Sequence, residues 1–287
     1  MKQLFSKLLA FICLASYAAS AATVSDPSSV WTHFAGNYDY LADQQTGQKA
    51  GDIVGDTTSN YGFFVTFNDN GGSSATDGTL GFRLRLDEAG GTKKDPVFDR
   101  VAWVGIDADI NGSIDAFLGL NLQGSSSNLL IAAPGTGANT SPNTTTIANT
   151  PYQTYATTTA NYNYRPVNST TDGGTTNDVT TTTTGDPDYY VSFMVPFTDV
   201  VAFLSTRSIQ INDQSPLRYV TATSTQAYAI NQDLGGVNDS INSATTWVDL
   251  GGFTQIVTAN GTLVPEPSSG LLVIASLTAA LFVRRRR

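Results

Sequence analysis

The stretch VAWVGIDADINGSIDAFLGL sets Asp107, Asp109 and Asn111 on alternate positions, follows them with Gly112 and closes on Asp115. Carboxylate and amide oxygens on alternate residues of a tight loop can point inward at one centre, and a glycine lets the backbone turn where other residues resist. An oxygen-only ligand set of this kind suits Ca2+, which takes about six to eight oxygens. The expected chemistry is a hard cation held by the side chains of Asp107, Asp109, Asn111 and Asp115 and by the backbone carbonyl of Ser113. The same residues allow a second outcome: an acidic hairpin turn whose Asx side chains bond their own backbone, since Asn-Gly is a turn signal in any context. A cation held here would pin a hairpin, which is a structural role and not a catalytic one.

Catalytic chemistry has few other footholds. His33 is the only histidine, which excludes a histidine-rich zinc site and the H-E-x-x-H pattern. Beside Trp31 it reads as a surface or packing residue. No G-x-S-x-G elbow and no G-x-x-x-x-G-K loop is present. Among 24 acidic residues some carboxylate pair always falls at glycoside-hydrolase separation, and nothing singles one out. The expectation is therefore a protein that is not an enzyme, with a glycoside hydrolase as the remaining catalytic alternative.

The D-x-D-x-N-G-x-x-D pattern begins like an EF-hand loop and does not finish like one. Counted from Asp107, the twelfth position is Leu118, where a bidentate Glu is required, and the flanks are strand-like. The pattern resembles the short calcium loops between strands of integrin-type β-propeller blades. That likeness covers Asp107 to Asp115 only, and no blade-length repeat accompanies it, so the propeller fold is not implied.

The elements that must hold this loop read as strands. YGFFVTF at Tyr61 to Phe67 is aromatic and β-branched and is closed by a turn cluster, Asn68 to Gly72. TLGFRLRL alternates, with Leu80, Phe82, Leu84 and Leu86 on one face and Arg83 and Arg85 on the other, which predicts a half-buried antiparallel strand. Further strands are expected at Arg100 to Ile106, Ile114 to Leu120, Leu129 to Ala132, Tyr189 to Val195, Arg218 to Thr223 and Thr245 to Leu250. One short helix is expected after Pro196-Phe197, capped by Thr198. Glycine-rich and Asn/Asp-rich turns between strands are the habit of an all-β chain, an antiparallel β-sandwich or jelly-roll-like exported domain over 23–263. Between Pro134 and Pro187, threonine, asparagine, serine and glycine dominate. Such composition buries too little apolar area to offset its ordering entropy, and predicts a flexible, Thr/Ser/Asn-rich surface insertion, open to O-glycosylation. Within it, Tyr152, Tyr155, Tyr162 and Tyr164 fit either a short edge strand or rings presented to sugars, with packing the safer reading.

Both ends carry address signals. Lys2 and Lys7, an apolar run and the small residues ending at Ala21 and Ala22 make a secretory signal peptide over 1–22, where the alternative is a buried N-terminal helix. Cys13 falls inside it, so the mature chain has no thiol and no disulfide. At the other end Val264, Pro265, Glu266 and Pro267 precede a short apolar run, about 268–283, and then Arg284, Arg285, Arg286 and Arg287. The run is a marginal bilayer span that snorkelling arginines lengthen, and the arginines favour the cytoplasmic side.

This three-part tail resembles the PEP-CTERM sorting signal of bacterial exosortase substrates, over about the last 24 residues. The resemblance implies export through the Sec translocon and transient anchoring in the inner membrane of a Gram-negative bacterium. A membrane processing enzyme of the exosortase kind would then act near Pro-Glu-Pro and pass the protein to the cell surface or to an exopolysaccharide-rich extracellular matrix, as in a biofilm. A plain C-terminal membrane anchor is the alternative.

The chain carries 15 lysines and arginines against 24 acidic residues. Six of the basic residues lie in the two terminal signals, which leaves 9 against 24 with Glu266 kept, a net −15. That balance argues against nucleic acid and anionic membrane as partners and suits divalent cations or neutral and cationic glycans. Two functional classes follow. One is a surface or matrix protein that binds or structures exopolysaccharide, with Trp31, Trp103 and Trp247 as stacking candidates, although Trp103 sits in an apolar run and reads as core. Its overall pattern, a strand YVSFMVPF after a VGID hairpin, is similar in general shape to carbohydrate-binding and DOMON-like sandwiches. The other is a structural or adhesive surface component without a specific ligand.

Overall fold

The computed structural model describes residues 22–34, 36, 38–39, 48–72, 74–92, 94–135, 147–179, 186–237, 248 and 252–265. Among them the chain is mostly strand: β1 Thr32–His33, β2 Phe63–Asn68, β3 Thr79–Leu86, β4 Gly90–Thr92, β5 Asp95–Val97, β6 Val101–Asp107, β7 Ala116–Asn121, β8 Asn128–Ala132, β9 Gln153–Ala156, β10 Tyr162–Pro166, β11 Tyr189–Pro196, β12 Arg218–Ser224 and β13 Asp233–Leu234. The described residues hold one α-helix, α1, at Phe197–Thr206. All strand pairs are antiparallel, in a five-stranded sheet ordered β1-β2-β3-β11-β10, a six-stranded sheet ordered β13-β12-β6-β7-β8-β9 and the separate hairpin β4-β5. The chain is all-β, as its alternating patterns predict.

Alternate side chains of both large sheets meet in one buried cluster. It draws Phe63 and Val65 from β2, Phe82 and Leu84 from β3 and Phe193 from β11, together with Val104 from β6, Leu118 from β7 and Tyr219 from β12. The rings of Phe82 and Tyr219 stand 5.2 Å apart. The helix adds Phe197, Val200, Phe203 and Leu204 to the same cluster. The opposite faces are covered too. Val101, Trp103, Phe117 and Val220 pack with Ile147, Ile230 and Leu234, while Phe64, Tyr190 and Met194 pack with Ala22, Val24, Trp31 and Val167. Trp103 lies flat enough on β7 that a side chain at Gly119 would sit 2.2 Å from its ring; only a glycine fits opposite it.

This double coverage corrects one expectation. β3 alternates as predicted, but Arg83 and Arg85 are fully buried rather than solvated. The N-terminal segment covers Arg83 and residues 175–176 cover Arg85. A second correction concerns α1. Thr198 lies inside the helix and Pro196 is its cap residue, without a side-chain cap. Strand β11 runs straight into the helix, and the N–H of Phe197 donates to the carbonyl of Gly78 at 2.9 Å, which satisfies one of the helix's N-terminal donors from outside the helix.

The Thr/Ser/Asn-rich stretch contributes two strands, β9 and β10, at the edges of the two sheets. Tyr155, Tyr162 and Tyr164 are partly buried against the central cluster, so the edge-strand reading holds for them. Tyr152 remains exposed beside Phe203. Of the strand expected at Thr245 to Leu250 only Val248 is described. Residues 1–21 and 266–287, with Ala21, Glu266, Pro267 and Arg284 to Arg287, lie outside the described residues. Among the described residues no helix is long and apolar enough to cross a membrane.

Candidate metal-binding loop

β6 ends at Asp107 and β7 begins at Ala116, so the acidic residues fill a short connection between adjacent strands. The connection is closed at its base by Asp115 N–H donating to the Ile106 carbonyl at 2.7 Å. Ile110 (φ 60°) and Gly112 (φ 88°) turn the chain through the left-handed region. That conformation is ordinary for glycine and strained for a β-branched residue. What holds it is a set of bonds to carboxylates. The N–H groups of Asn111 and Gly112 donate to Asp107 at 3.1 and 3.0 Å, and Ala108 N–H donates to Asp115 at 2.8 Å.

Asp107, Asp109 and Asp115 each place one carboxylate oxygen within 4.8 Å of the other two. Asp107 and Asp115 are buried and Asp109 is exposed. Burial first, and then repulsion from Asp109 and Asp107, pushes the Asp115 carboxyl above the ordinary range. A divalent cation between them would relieve that repulsion. The three carboxylates are thus brought together as their spacing predicts. Asn111 is turned within the loop: its Nδ2 donates to Asp109 at 2.8 Å and its Oδ1 accepts Ser113 N–H at 2.8 Å. Ser113 enters this network through its N–H. These Asx bonds are also those of the acidic turn, so both outcomes foreseen for this sequence share one geometry.

One member of the site escaped the sequence. β12 pairs with β6 in a register that sets Arg218 opposite Asp107, and their side chains form an ion pair. Arg218 also lies over the Phe253 ring, 4.7 Å from its centroid. The guanidinium occupies part of the acceptor capacity of Asp107, so a bound cation would share that carboxylate with Arg218. The chain matches no protein-family model, no curated protein and no solved structure.

A second acidic group, also unforeseen, gathers Asp87, Asp178 and Asp188 at the end of β3 and the start of β11. Here two cations already sit among the carboxylates: Arg85 Nε lies 2.6 Å from Asp188 and Lys49 Nζ 3.6 Å from Asp87. This group reads as an ion-pair network. Of the stacking candidates, Trp31 and Trp103 are buried, Trp31 over the outer face of the five-stranded sheet and Trp103 on the covered outer face of the six-stranded one. They are packing residues and offer no face to a sugar. Trp247 lies outside the described residues. His33 stacks on Tyr61 with ring centroids 3.6 Å apart.

The two ends of the described chain are both tied down. Ala22 is buried and Thr23 N–H donates to Asp26 at 2.7 Å. At the other end, Val257 bridges both Leu217 and Leu263, and Val264 N–H donates to the Ile256 carbonyl at 2.9 Å. Pro265 is exposed immediately beyond that bond.

Proposed function

We propose that this chain is an exported cell-surface or extracellular-matrix protein whose β-domain binds or structures exopolysaccharide and is stabilised by Ca2+ at Asp107, Asp109, Asn111, Ser113 and Asp115. The observation that carries this reading is the convergence of three carboxylates in a strand-to-strand loop of a chain whose single cysteine is Cys13. A small cation site suits such a domain, since a loop that cannot be stapled by a disulfide can be pinned by an ion. The two sheets are proposed to form a sandwich of jelly-roll-like arrangement, supported by their shared cluster and by the Phe82–Tyr219 contact between them. Export by the Sec route, an apolar C-terminal helix and processing by an exosortase-like enzyme are supported by the signal-peptide pattern and the Pro-Glu-Pro tail.

The test is a thermal-unfolding and pull-down pair on the purified protein. With Ca2+ at about 10 to 100 times Kd, binding to the folded state alone adds about 1.4–2.7 kcal/mol, or roughly 3–10 °C in Tm for a domain of this size. Asp109→Ala should remove that response by taking away one of the three carboxylates, and should spare the fold, because Asp109 is exposed and its carboxylate bonds Asn111. Retention on the producer's own exopolysaccharide should fall on chelation and in Asp109→Ala. Unchanged Tm with and without chelator would sink the calcium assignment. Absence of retention in either condition would leave a structural or adhesive role.

A further inference from the structure

The acidic loop between β6 and β7 already has a cation on it. Arg218 Nη2 donates to Asp107 Oδ2, an oxygen that also accepts the Gly112 N–H at 3.0 Å. The Asp107 side chain is fully buried, while that of Arg218 is partly exposed. We infer that Arg218 is a tethered stand-in for the divalent cation. It neutralises Asp107 while the loop holds no ion and loosens as Ca2+ binds, which weakens the site and makes its filling reversible. The inference rests on the calcium reading above and adds to it the residue that sets the affinity.

Three features point to this role. First, Arg218 is held more loosely than the two arginines of β3. Arg83 reaches Ser192, Ser28, Val24 and Asp26, and Arg85 reaches Asp188, Asn60, Thr175 and Thr176. The guanidinium of Arg218 donates to Asp107 alone, and its Nε is buried without a partner among the described residues. A donor set engaged by a single carboxylate oxygen loses little by moving. Second, the side chain has room to move. It lines a cavity of about 380 Å3 with Thr254, Ile256, Leu263 and Pro265 among the other walls, and the Phe253 ring, 4.7 Å from the guanidinium, supports the charge away from the loop. Third, the charges conflict. Ca2+ among Asp107, Asp109 and Asp115 would face the guanidinium across one shared carboxylate, and two cations at that range repel. A ligand shifts an equilibrium only by its differential affinity for the two states, so what Arg218 gains on Asp107 in the ion-free state is subtracted from the affinity for Ca2+.

The test is a Ca2+ titration of the full-length protein, followed by calorimetry and by Tm, in wild type, Arg218→Met and Arg218→Lys. Methionine keeps an apolar stem over Phe253 and removes the charge, whereas lysine keeps the charge without the planar fork. In chelator, Arg218→Met should melt below wild type, because Asp107 is left buried without its counter-cation. It should bind Ca2+ about tenfold tighter or more, a change of about 1.4 kcal/mol, and saturating Ca2+ should close the gap in Tm. Arg218→Lys should stay near wild type in both readouts. Folding of Arg218→Met only in the presence of Ca2+ would be the same result in its extreme form. Unchanged or weaker binding by Arg218→Met would overturn the inference and leave the calcium reading standing, since Arg218 would then orient Asp107 as a ligand and not compete for it. Tightening in Arg218→Lys equal to that in Arg218→Met would remove charge as the cause and overturn it too. No response to Ca2+ in any of the three proteins would overturn both readings.

Discussion

Asp188→Ala is expected to destabilise the protein by about 3–5 kcal/mol at pH 8, the cost of leaving a buried charge without its partner. By the usual scaling that lowers Tm by roughly 6–20 °C. Asp188 and Arg85 are both fully buried, and Arg85 Nε donates to Asp188 Oδ2 at 2.6 Å. The remaining guanidinium donors reach Thr175 Oγ1 at 2.6 Å and the Thr176 carbonyl at 2.8 Å. Removing the carboxylate therefore strands a cation that also anchors the threonine-rich stretch to the sheet. A double variant with Arg85→Leu should lose less than the two single losses combined, because the stranded charge is gone. Simple additivity would show that the pair is not coupled. The same site predicts a pH dependence. Burial pushes the Asp188 carboxyl up to about 7, against the opposing pull of Arg85. Its folded value lies above its unfolded value near 3.8, so the folded state binds the extra proton between them. The stability this contributes is complete below about pH 4 and is lost as pH rises through about 7. Tm should fall between pH 5 and pH 8, and Asp188→Asn should flatten that slope. A slope that Asp188→Asn leaves unaltered would assign the titration elsewhere.

What the sequence made legible was whatever is local. The alternation of TLGFRLRL fixes which face of β3 meets the core, and Leu80, Phe82, Leu84 and Leu86 are indeed all in the central cluster. The spacing of Asp107, Asp109 and Asp115 likewise fixes that one tight turn brings their oxygens together. What stayed hidden depends on segments far along the chain. Arginines on the second face of a strand read as solvated, and only the tertiary fold brings Thr175, 90 residues away, to Arg85. Arg218 reaches Asp107 through the β6-β12 register, 111 residues apart, and no local pattern encodes that. Composition misleads in the same way at Thr175 and Thr176. A polar stretch cannot build a core of its own, but its hydroxyls and carbonyls can satisfy a buried guanidinium that an apolar cover would leave unmet.

Arg83 carries the second large effect, and it is bonded to the segment Val24 to Ser28. Its Nε donates to Ser192 Oγ at 2.7 Å, Nη1 to Ser28 Oγ at 3.1 Å, and Nη2 to the carbonyls of Val24 at 3.1 Å and Asp26 at 2.7 Å. The guanidinium also lies 4.3 Å from the centroid of the Trp31 ring. Burial first, and then the Arg165 cation, pulls Arg83 down to about 9, which still leaves it charged at neutral pH. One side chain thus ties the segment from Ala22 to Trp31 across the outer face of the five-stranded sheet, where that segment seals Phe64, Tyr190 and Met194. Arg83→Ala would leave several buried oxygens without donors and open a cavity, and is expected to cost about 3–5 kcal/mol. Arg83→Met refills most of the volume without the donors, and Arg83→Lys keeps charge without the planar fork that spans four acceptors. Both should therefore release the segment while β6 and β7 keep their own ladder. Hydrogen exchange is the discriminating readout. Residues 22–31 should lose protection in Arg83→Met and Arg83→Lys, while 101–107 and 116–121 hold theirs, and the Trp31 emission should shift to the red with Trp31→Phe as its control. If 22–31 stay protected in both variants, apolar packing of Val24 and Trp31 is sufficient to hold the seal, and Arg83 is only filling the space beneath it.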